Sequence, residues 1–303
     1  MPTHTADRRP HLTRVDGPEE LRRRCDRIRA AGLSLGLVPT MGALHAGHRQ
    51  LIQRSRAECD RTVVSIFVNP TQFGPGEDFD LYPRPLDADL AVCAELGVDL
   101  AYVPSEAAMY PEGFATRVSL RGALAETLEG AHRPGHFDGV ATVVTKLLVT
   151  ARPDRAYFGH KDAQQCALVR RLAADLNTGT EVAVCPTVRD ADGLALSSRN
   201  ARLDPAERLQ ALAIPAALAA ADAAFRLGER DAEAIRDLVL WRLADSPGLA
   251  VDYVAVVDAE TFAPVTIMNV RCEILIAARM GSVRLIDVLT PGTDERLVVG
   301  VGG

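Results

Sequence analysis

Gly36-Leu-Val-Pro-Thr-Met-Gly-Ala-Leu-His45-Ala-Gly-His48-Arg-Gln-Leu-Ile-Gln53 is the stretch whose reading decides the fold. The apolar run Leu33, Leu35, Leu37, Val38 reads as a buried strand. It stops at Pro39-Thr40-Met41-Gly42, where proline withholds a ladder donor and glycine frees the backbone to turn. Apolar spacing then becomes helical at Leu44, Leu51 and Ile52. A parallel strand that gives way to a helix in this manner puts the helix N-terminus, with its unpaired N–H groups and positive dipole end, at the carboxyl edge of the sheet, where anions bind.

His45 and His48 are three residues apart and share one face of that first helical turn. Gly47 between them costs about 1 kcal/mol against alanine in a helix, which points to something lying close to the backbone. Two surface histidines at a helix start would be the plain alternative; strand, Pro-Thr-Met-Gly turn and small spacer together speak against it. The spacing lacks the glutamate and the i, i+4 geometry of a zinc-protease helix, so no metal site is read here. The pattern resembles the His-x-Gly-His signature of nucleotidyltransferases that form adenylates, in which imidazoles donate to ATP phosphates.

With 303 residues the chain suits two domains or one large one, and we expect a division at 188–189, residues 1–188 and 189–303. A net charge of −6 offers nucleic acid no general attraction, so any anion site must be local. No stretch approaches the ~20 continuous apolar residues of a membrane span, and the N-terminus lacks an apolar signal core, so the expectation is a cytoplasmic protein with neither nucleic acid nor membrane as partner. Cys25, Cys59, Cys93, Cys166, Cys185 and Cys272 are scattered in apolar surroundings and read as small buried hydrophobes. Of 34 basic residues only Lys146 and Lys161 are lysine.

Outward from the deciding stretch, residues 1–15 read as irregular and 19–29 as a surface helix. Thr62–Val68 is a second buried strand running into Asn69-Pro-Thr-Gln72-Phe-Gly74, a loop of amides and hydroxyls suited to orienting a small polar ligand. A helix follows over 86–96, with Asp87 and Asp89 read as helix-start charges. Residues 98–103 form a third strand and 114–120 an extended edge piece. The segment Leu128-Glu129-Gly130-Ala-His132-Arg133-Pro-Gly-His136-Phe-Asp-Gly139 is dense in breakers and cations and leads into a helix over 140–150; it reads either as a solvated connector or, with Arg133 followed by Pro and Gly, as a clamp for a polyphosphate.

A strand at 154–158 ends on Gly159-His160-Lys161-Asp162-Ala-Gln164-Gln165, where a helix to Leu176 begins. A cation at a helix start is disfavoured unless an anion binds there too, which singles out Lys161 in a chain that otherwise uses arginine. After a strand at 181–184 comes Val188-Arg189-Asp190-Ala-Asp192-Gly193-Leu-Ala-Leu196-Ser197-Ser198-Arg199-Asn200, a phosphate-binding strip with Gly193 as hinge. Residues 204–244 read as two helices, and 251–257, 271–277 and 283–289 as strands of a smaller mixed layer. Trp241 reads as core or interface, the tail from Asp294 as disordered, and no internal repeat is found.

In order along residues 15–290, Pro39-Thr40-Met41-Gly42 with His45-x-Gly-His48, Asn69-Pro-Thr-Gln72, Glu129-Gly with Arg133-Pro-Gly-His-Phe137, Gly159-His-Lys161-Asp162 with Gln164-Gln165, and Ser197-Ser198-Arg199-Asn200 resemble the pantothenate synthetase (pantoate–beta-alanine ligase) family. The resemblance implies an α/β fold, a Rossmann-like doubly wound parallel sheet with a smaller α+β C-terminal lid domain, and a homodimer using ATP with magnesium, the ion sitting on the phosphates. It implies catalytic roles for His45, His48, Lys161, Ser197, Ser198 and Arg199. ATP would be bound by Pro39, Thr40, Met41, His45, Gly47, His48, Gly159, Lys161, Asp162, Val188, Leu196, Ser197, Ser198 and Arg199, and pantoate by Met41, Asn69, Gln72, Arg133 and Gln165. Two positions depart from the usual pattern: His160 stands where the family has Glu, and Leu196 where it has Met, the latter close to volume-conserving. The expected reaction joins pantoate to beta-alanine through a pantoyl adenylate; the alternative is another nucleotidyltransferase of this type acting on a small acid or a phosphorylated acceptor.

Overall fold

Strand β2 (Leu35–Thr40) lies inside a six-stranded sheet with order β1-β4-β3-β2-β5-β6, in the computed structural model that describes residues 12–293. The other strands are β1 (Thr13–Val15), β3 (Arg61–Ile66), β4 (Leu100–Tyr102), β5 (Arg155–Gly159) and β6 (Glu181–Cys185). The ladders β1–β4, β4–β3, β3–β2 and β2–β5 are all parallel. Such strands are covered on both faces, which is why Leu35, Leu37, Val38, Val63 and Val64 read as unbroken apolar runs and are fully buried. Helices α1 (Pro18–Ala30), α2 (Ala46–Glu58), α3 (Leu86–Glu95), α4 (Glu106–Met109), α5 (Ala123–Glu126), α6 (Glu129–His132), α7 (His136–Ala151) and α8 (Ala163–Asp175) occupy the connections. After β2 the chain moves to β3 on one side; β5 and β6 lie on the other. The carboxyl ends of β2 and β5 therefore mark the topological switch point, the place where open α/β sheets bind ligands.

The contacts divide the chain into two compact units that interleave in sequence: residues 1–119, 138–158 and 169–185 in the first, and 120–137, 159–168 and 186–303 in the second. This grouping follows a different line from the linear division at 188–189. The first unit's core joins Val38, Leu51, Ile52, Val64, Cys93, Tyr157 and Ala183. The second unit holds the antiparallel meander β7 (Leu249–Asp258), β8 (Cys272–Met280) and β9 (Val283–Leu289). The two-residue β8–β9 connection permits no other direction. Alternation sorts its faces: Ile274, Ile276 and Ala278 meet Ile214, Leu218 and Phe225 of α10 (Ala213–Arg226) and Ile235 and Val239 of α11 (Ala232–Ala244), whereas Val257, Leu275 and Val288 meet Ala163 and Ala167 at the start of α8.

Several expectations change. Thr13–Val15, expected to be irregular, is edge strand β1. Residues 114–120 join neither sheet; Val118 instead donates its N–H to Thr142 Oγ1 at 3.0 Å. Residues 204–244 hold three helices, because α9 (Pro205–Ala211) breaks from α10 at Leu212. Pro205–Arg226 has the length and composition to cross a membrane, yet Ile214, Ala217, Leu218, Ala221 and Phe225 face the second unit's core. Trp241 is 61% exposed rather than core. The six cysteines are buried free thiols. The tail from Asp294 lies outside the described residues.

Gly139, inside α7, touches the Asn69 loop so closely that an added Cβ would stand 2.3 Å from Thr71 O and 2.6 Å from Gln72 N. Gly→Ala within a helix normally stabilises by up to about 1 kcal/mol, but forcing backbone apart costs roughly 1–3 kcal/mol. Gly139→Ala is therefore expected to lower the urea midpoint; an unchanged or raised midpoint would contradict the close approach.

Candidate active site

β2 ends on Thr40, a buried residue whose Oγ1 donates to Ser65 O (2.7 Å) and accepts from Gly42 N (3.2 Å). The next two amides are taken by Asp89: Ala43 N and Leu44 N donate to its carboxylate at 2.9 and 2.7 Å. Asp89 is 2% exposed, so it is no solvated helix-start charge, as expected from sequence, but a clamp on the turn before α2. These two amides, in the turn just before the helix start, are thus occupied by the protein's own carboxylate.

His45 is the N-cap of α2, with extended backbone. Its Nδ1 accepts from Gly47 N (3.2 Å), and His48 Nδ1 accepts from His45 N (3.3 Å), so the two rings stand 4.1 Å apart. A nitrogen that accepts from an amide carries no proton, which assigns the proton of each neutral imidazole to Nε2 and makes Nε2–H the donor. The small spacer is explained as well: a Cβ on Gly47 would lie 2.9 Å from His45 Cε1. What comes close to the backbone here is the histidine ring itself.

Also in the first unit, the structure gathers Met41, Asn69 and Gln72. Asn69 is buried, and its Nδ2 donates to Gln72 Oε1 (3.0 Å) and Gly139 O (3.2 Å). Its Oδ1 accepts from Tyr110 OH (2.7 Å) and Thr71 Oγ1 (2.9 Å). Gln72 Nε2 reaches Met41 Sδ at 3.2 Å. With both ends of its amide engaged, Asn69 fixes the orientation of Gln72, whose own amide bridges Asn69 and Met41.

In the second unit, Lys161 and Asp162 sit on the 3-10 turn His160–Asp162 that follows Gly159, and this turn lies against β9. His160 Nε2 is 2.7 Å from Glu273 Oε1. On β9, Asp287 takes both Nη atoms of Arg189, at 2.6 and 2.9 Å. Burial pushes the Asp287 carboxyl up, while Arg189 and the ammonium of Lys161 pull it back, so Lys161 is within electrostatic reach of that pair. Val188 and Leu196 meet across a small hairpin, Leu196 N donating to Val188 O at 2.9 Å. Arg208 grips the hairpin's tip through Asp190 (2.6 Å) and Asp192 (2.8 Å). Ser197 Oγ caps the 3-10 turn Ser198–Arg202, accepting from Arg199 N at 3.2 Å, and this turn too lies against β9. The Gly159-His-Lys161 and Ser197-Ser198-Arg199 motifs, far apart in sequence, thus share one strand.

Arg133 stands 3.0 Å from His136 Nε2, at the C-cap of α6. Gln165 is half-buried on α8, while its neighbour Gln164 is buried and structural, accepting from Glu129 N (3.0 Å) and donating to Leu124 O and Thr127 O. By unit, Pro39, Thr40, Met41, His45, Gly47, His48, Asn69 and Gln72 belong to the first, and Arg133, Gly159, Lys161, Asp162, Gln165, Val188, Leu196, Ser197, Ser198 and Arg199 to the second. Among the described residues no group of three or more His, Cys, Asp or Glu side chains is placed to hold a metal ion. Sequence reading missed Asp89, Tyr110, Asp287 and Arg284. Each acts through a partner more than 40 residues away, and only a buried polar residue in an apolar run (Asp287 in Val283–Leu289) leaves a trace.

The profile of the pantoate-beta-alanine ligase family matches residues 13–290. A bifunctional pantoate ligase/cytidylate kinase of Gloeobacter violaceus is 50% identical over 279 residues, 91% of this chain and 54% of that protein, so the chain spans about half the length of such relatives. The crystal structure of pantothenate synthetase from Thermus thermophilus superposes with a TM-score of 0.86 at 45% identity, covering 91% of this chain and 98% of that one. The pantoate-beta-alanine ligase of Francisella tularensis, solved with beta-gamma ATP and beta-alanine, superposes with a TM-score of 0.75 at 35% identity, over 92% and 98% of the two chains.

Glu129 generates a test of the electrostatics. Burial raises its carboxyl, but Arg284 donates twice (2.6 and 2.7 Å) and Tyr253 once (2.7 Å), and these bring it below its ordinary 4.5. A depressed carboxyl contributes stability that is present above its unfolded value and lost as pH falls through its folded one. The stability gap between the wild type and Glu129→Gln is therefore expected to be widest near neutrality and to close below about pH 4.5. A gap independent of pH, measured by urea unfolding, would contradict this.

Proposed function

The chain belongs to the pantoate-beta-alanine ligase family, and from that premise we propose that it condenses pantoate with beta-alanine through a pantoyl adenylate, consuming ATP and releasing AMP and pyrophosphate. The observation that carries the proposal is the orientation of His45 and His48: both rings commit Nδ1 to the backbone, leaving Nε2–H as donor, at the carboxyl end of the strand beside the switch point. The Francisella tularensis relative, solved with a nucleotide and beta-alanine, supports the substrate pair.

The chemistry sets the requirement. Pantoate's carboxylate attacks the alpha-phosphorus of ATP, an anion approaching an anion, so donors must offset the triphosphate charge and hold the reactants in line. In this proposal His45, His48, Lys161, Ser197, Ser198 and Arg199 take the phosphates, with Pro39, Thr40, Met41, Gly47, Gly159, Asp162, Val188 and Leu196 around the nucleotide. Gln72, held by Asn69, grips pantoate together with Met41, Arg133 and Gln165. Magnesium belongs to the nucleotide substrate, on the phosphate oxygens. The bond from the alpha-phosphorus to the bridging oxygen breaks, pyrophosphate leaves, and the neutral amine of beta-alanine then attacks the activated carbonyl, expelling AMP. No side chain becomes covalently attached. The same reading makes residues 1–188 the ATP- and pantoate-binding domain and 189–303 a lid that adds Leu196 and Ser197-Ser198-Arg199 to the nucleotide and keeps water from the mixed anhydride, and it describes a cytoplasmic homodimer.

Incubation with ATP, pantoate and beta-alanine, each omitted in turn, is expected to yield AMP, pyrophosphate and pantothenate by mass, with pantoate-dependent exchange of labelled pyrophosphate into ATP when beta-alanine is left out. Purely ADP-forming turnover would overturn the proposal. Lys161→Ala is expected to slow adenylate formation by at least roughly 100-fold, the effect of losing one transition-state charge contact; a near-normal single-turnover rate would remove Lys161 from its role.

A further inference from the structure

Lys161 rides on a three-residue 3-10 turn that joins β5 directly to α8. Its neighbour His160 places Nε2 2.7 Å from Glu273 Oε1. Glu273 lies on β8, two residues before Leu275, so strand alternation puts it on the face that Ala163 and Ala167 cover. It is 5% exposed, and its other oxygen, Oε2, is buried without a hydrogen-bond partner. Among the described residues, the contact with His160 Nε2 is thus the one side-chain hydrogen bond that holds the buried Glu273 carboxyl.

The arrangement is a poor device for stability. Burying ionic groups costs several kcal/mol of desolvation, and replacing a buried pair with apolar residues is often neutral or stabilising. It is a good device for aim. The turn is tied to β8 through His160 and packs against β9, where Asp287 is held by two bonds from Arg189. We propose that Glu273 and His160 are a positioning pair that sets the Lys161 turn, and through it the placement of the lysine ammonium against the nucleotide phosphates. The assignment holds only for the adenylate-forming reaction proposed above.

The test is pantoate-dependent exchange of labelled pyrophosphate into ATP, read as kcat and as KM for each substrate, with the melting temperature measured in parallel. A displacement of about 1 Å costs up to roughly 100-fold in rate, so the double variant His160→Leu/Glu273→Leu is expected to lose about 10- to 100-fold in kcat while its melting temperature and KM for pantoate stay close to those of the wild type. His160→Gln keeps an N–H near the position of Nε2 and is expected to recover the rate to within about threefold. In a Lys161→Ala background the double leucine change is expected to add less than about twofold, because groups that act through one another are non-additive. An unchanged rate in the double variant would overturn the pair's role, as would a full loss on top of Lys161→Ala or a His160→Gln protein as slow as the double variant. A wild-type chain with no exchange would overturn the reaction itself and is thereby told apart from failure of the pair.

Discussion

The bond on which the candidate site depends is the one from the backbone to Nδ1 of each imidazole at the start of α2. A helix N-terminus must satisfy its first amides, and the usual caps are hydroxyl and carboxylate oxygens. A carboxylate would do so while placing a negative charge at the helix start, against the phosphate contact proposed for His45 and His48. An imidazole cap is neutral, accepts on one side and donates on the other. His45 and His48 each take a backbone amide on Nδ1 and so carry their own N–H on Nε2. Asp89 shows the contrast one step upstream, where Ala43 N and Leu44 N are closed by a carboxylate and the turn is fixed rather than left open.

The second unit uses buried charge to fix backbone in a comparable way. Glu129 takes Arg284 on both oxygens, Arg284 reaches Asp252 at 2.7 Å, and Tyr253 completes the set, so the Glu129 segment is tied to β7 and β9 by one cation. Asp287 and Arg189 do the equivalent for the hairpin at 188–196. Such pairs contribute little net stability, since desolvation offsets most of the attraction, but they tolerate only one geometry. That suits segments of irregular backbone, which have no ladder of hydrogen bonds to define them.

How far the sequence could be read follows from the range of the forces involved. Local signals were legible: the apolar run into Pro39-Thr-Met-Gly42, the strand and helix alternation that makes a parallel sheet, and the His, Asn-Gln, Gly-His-Lys and Ser-Ser-Arg motifs, each at an element's end. Gly47 was legible as a sign of crowding but not as to its cause, since whether a ligand or the His45 ring approached is a matter of rotamer. Strand β1 was missed because three residues carry too little pattern to register against a partner as distant in sequence as Leu100–Tyr102. Residues 114–120 alternate like a strand, yet Val118 at their centre bonds to a helix side chain, Thr142 Oγ1, and not to a neighbouring strand. Asp89 could not be told from Asp87 by spacing; only burial separates them, and burial is settled by the fold.

The scarcity of lysine gains a physical meaning from the partners of the arginines. Arg189, Arg208 and Arg284 each spread a planar fork over two acceptor groups and are locked by it. A guanidinium so bound cannot follow a charge that moves during a reaction. Lys161 has a point charge on a flexible stem and feels Asp287 without being forked onto it. Lys146, the other lysine, lies over the rings of Phe114 and Tyr110, at 4.8 and 5.9 Å, contacts that likewise hold a cation without a fork. In these three arginines the fork fixes structure, whereas neither ammonium is held by one. Adjustable reach has a corollary: the backbone beneath it must itself be fixed, and the turn under Lys161 meets that demand by lying on β9 with His160 bonded to β8.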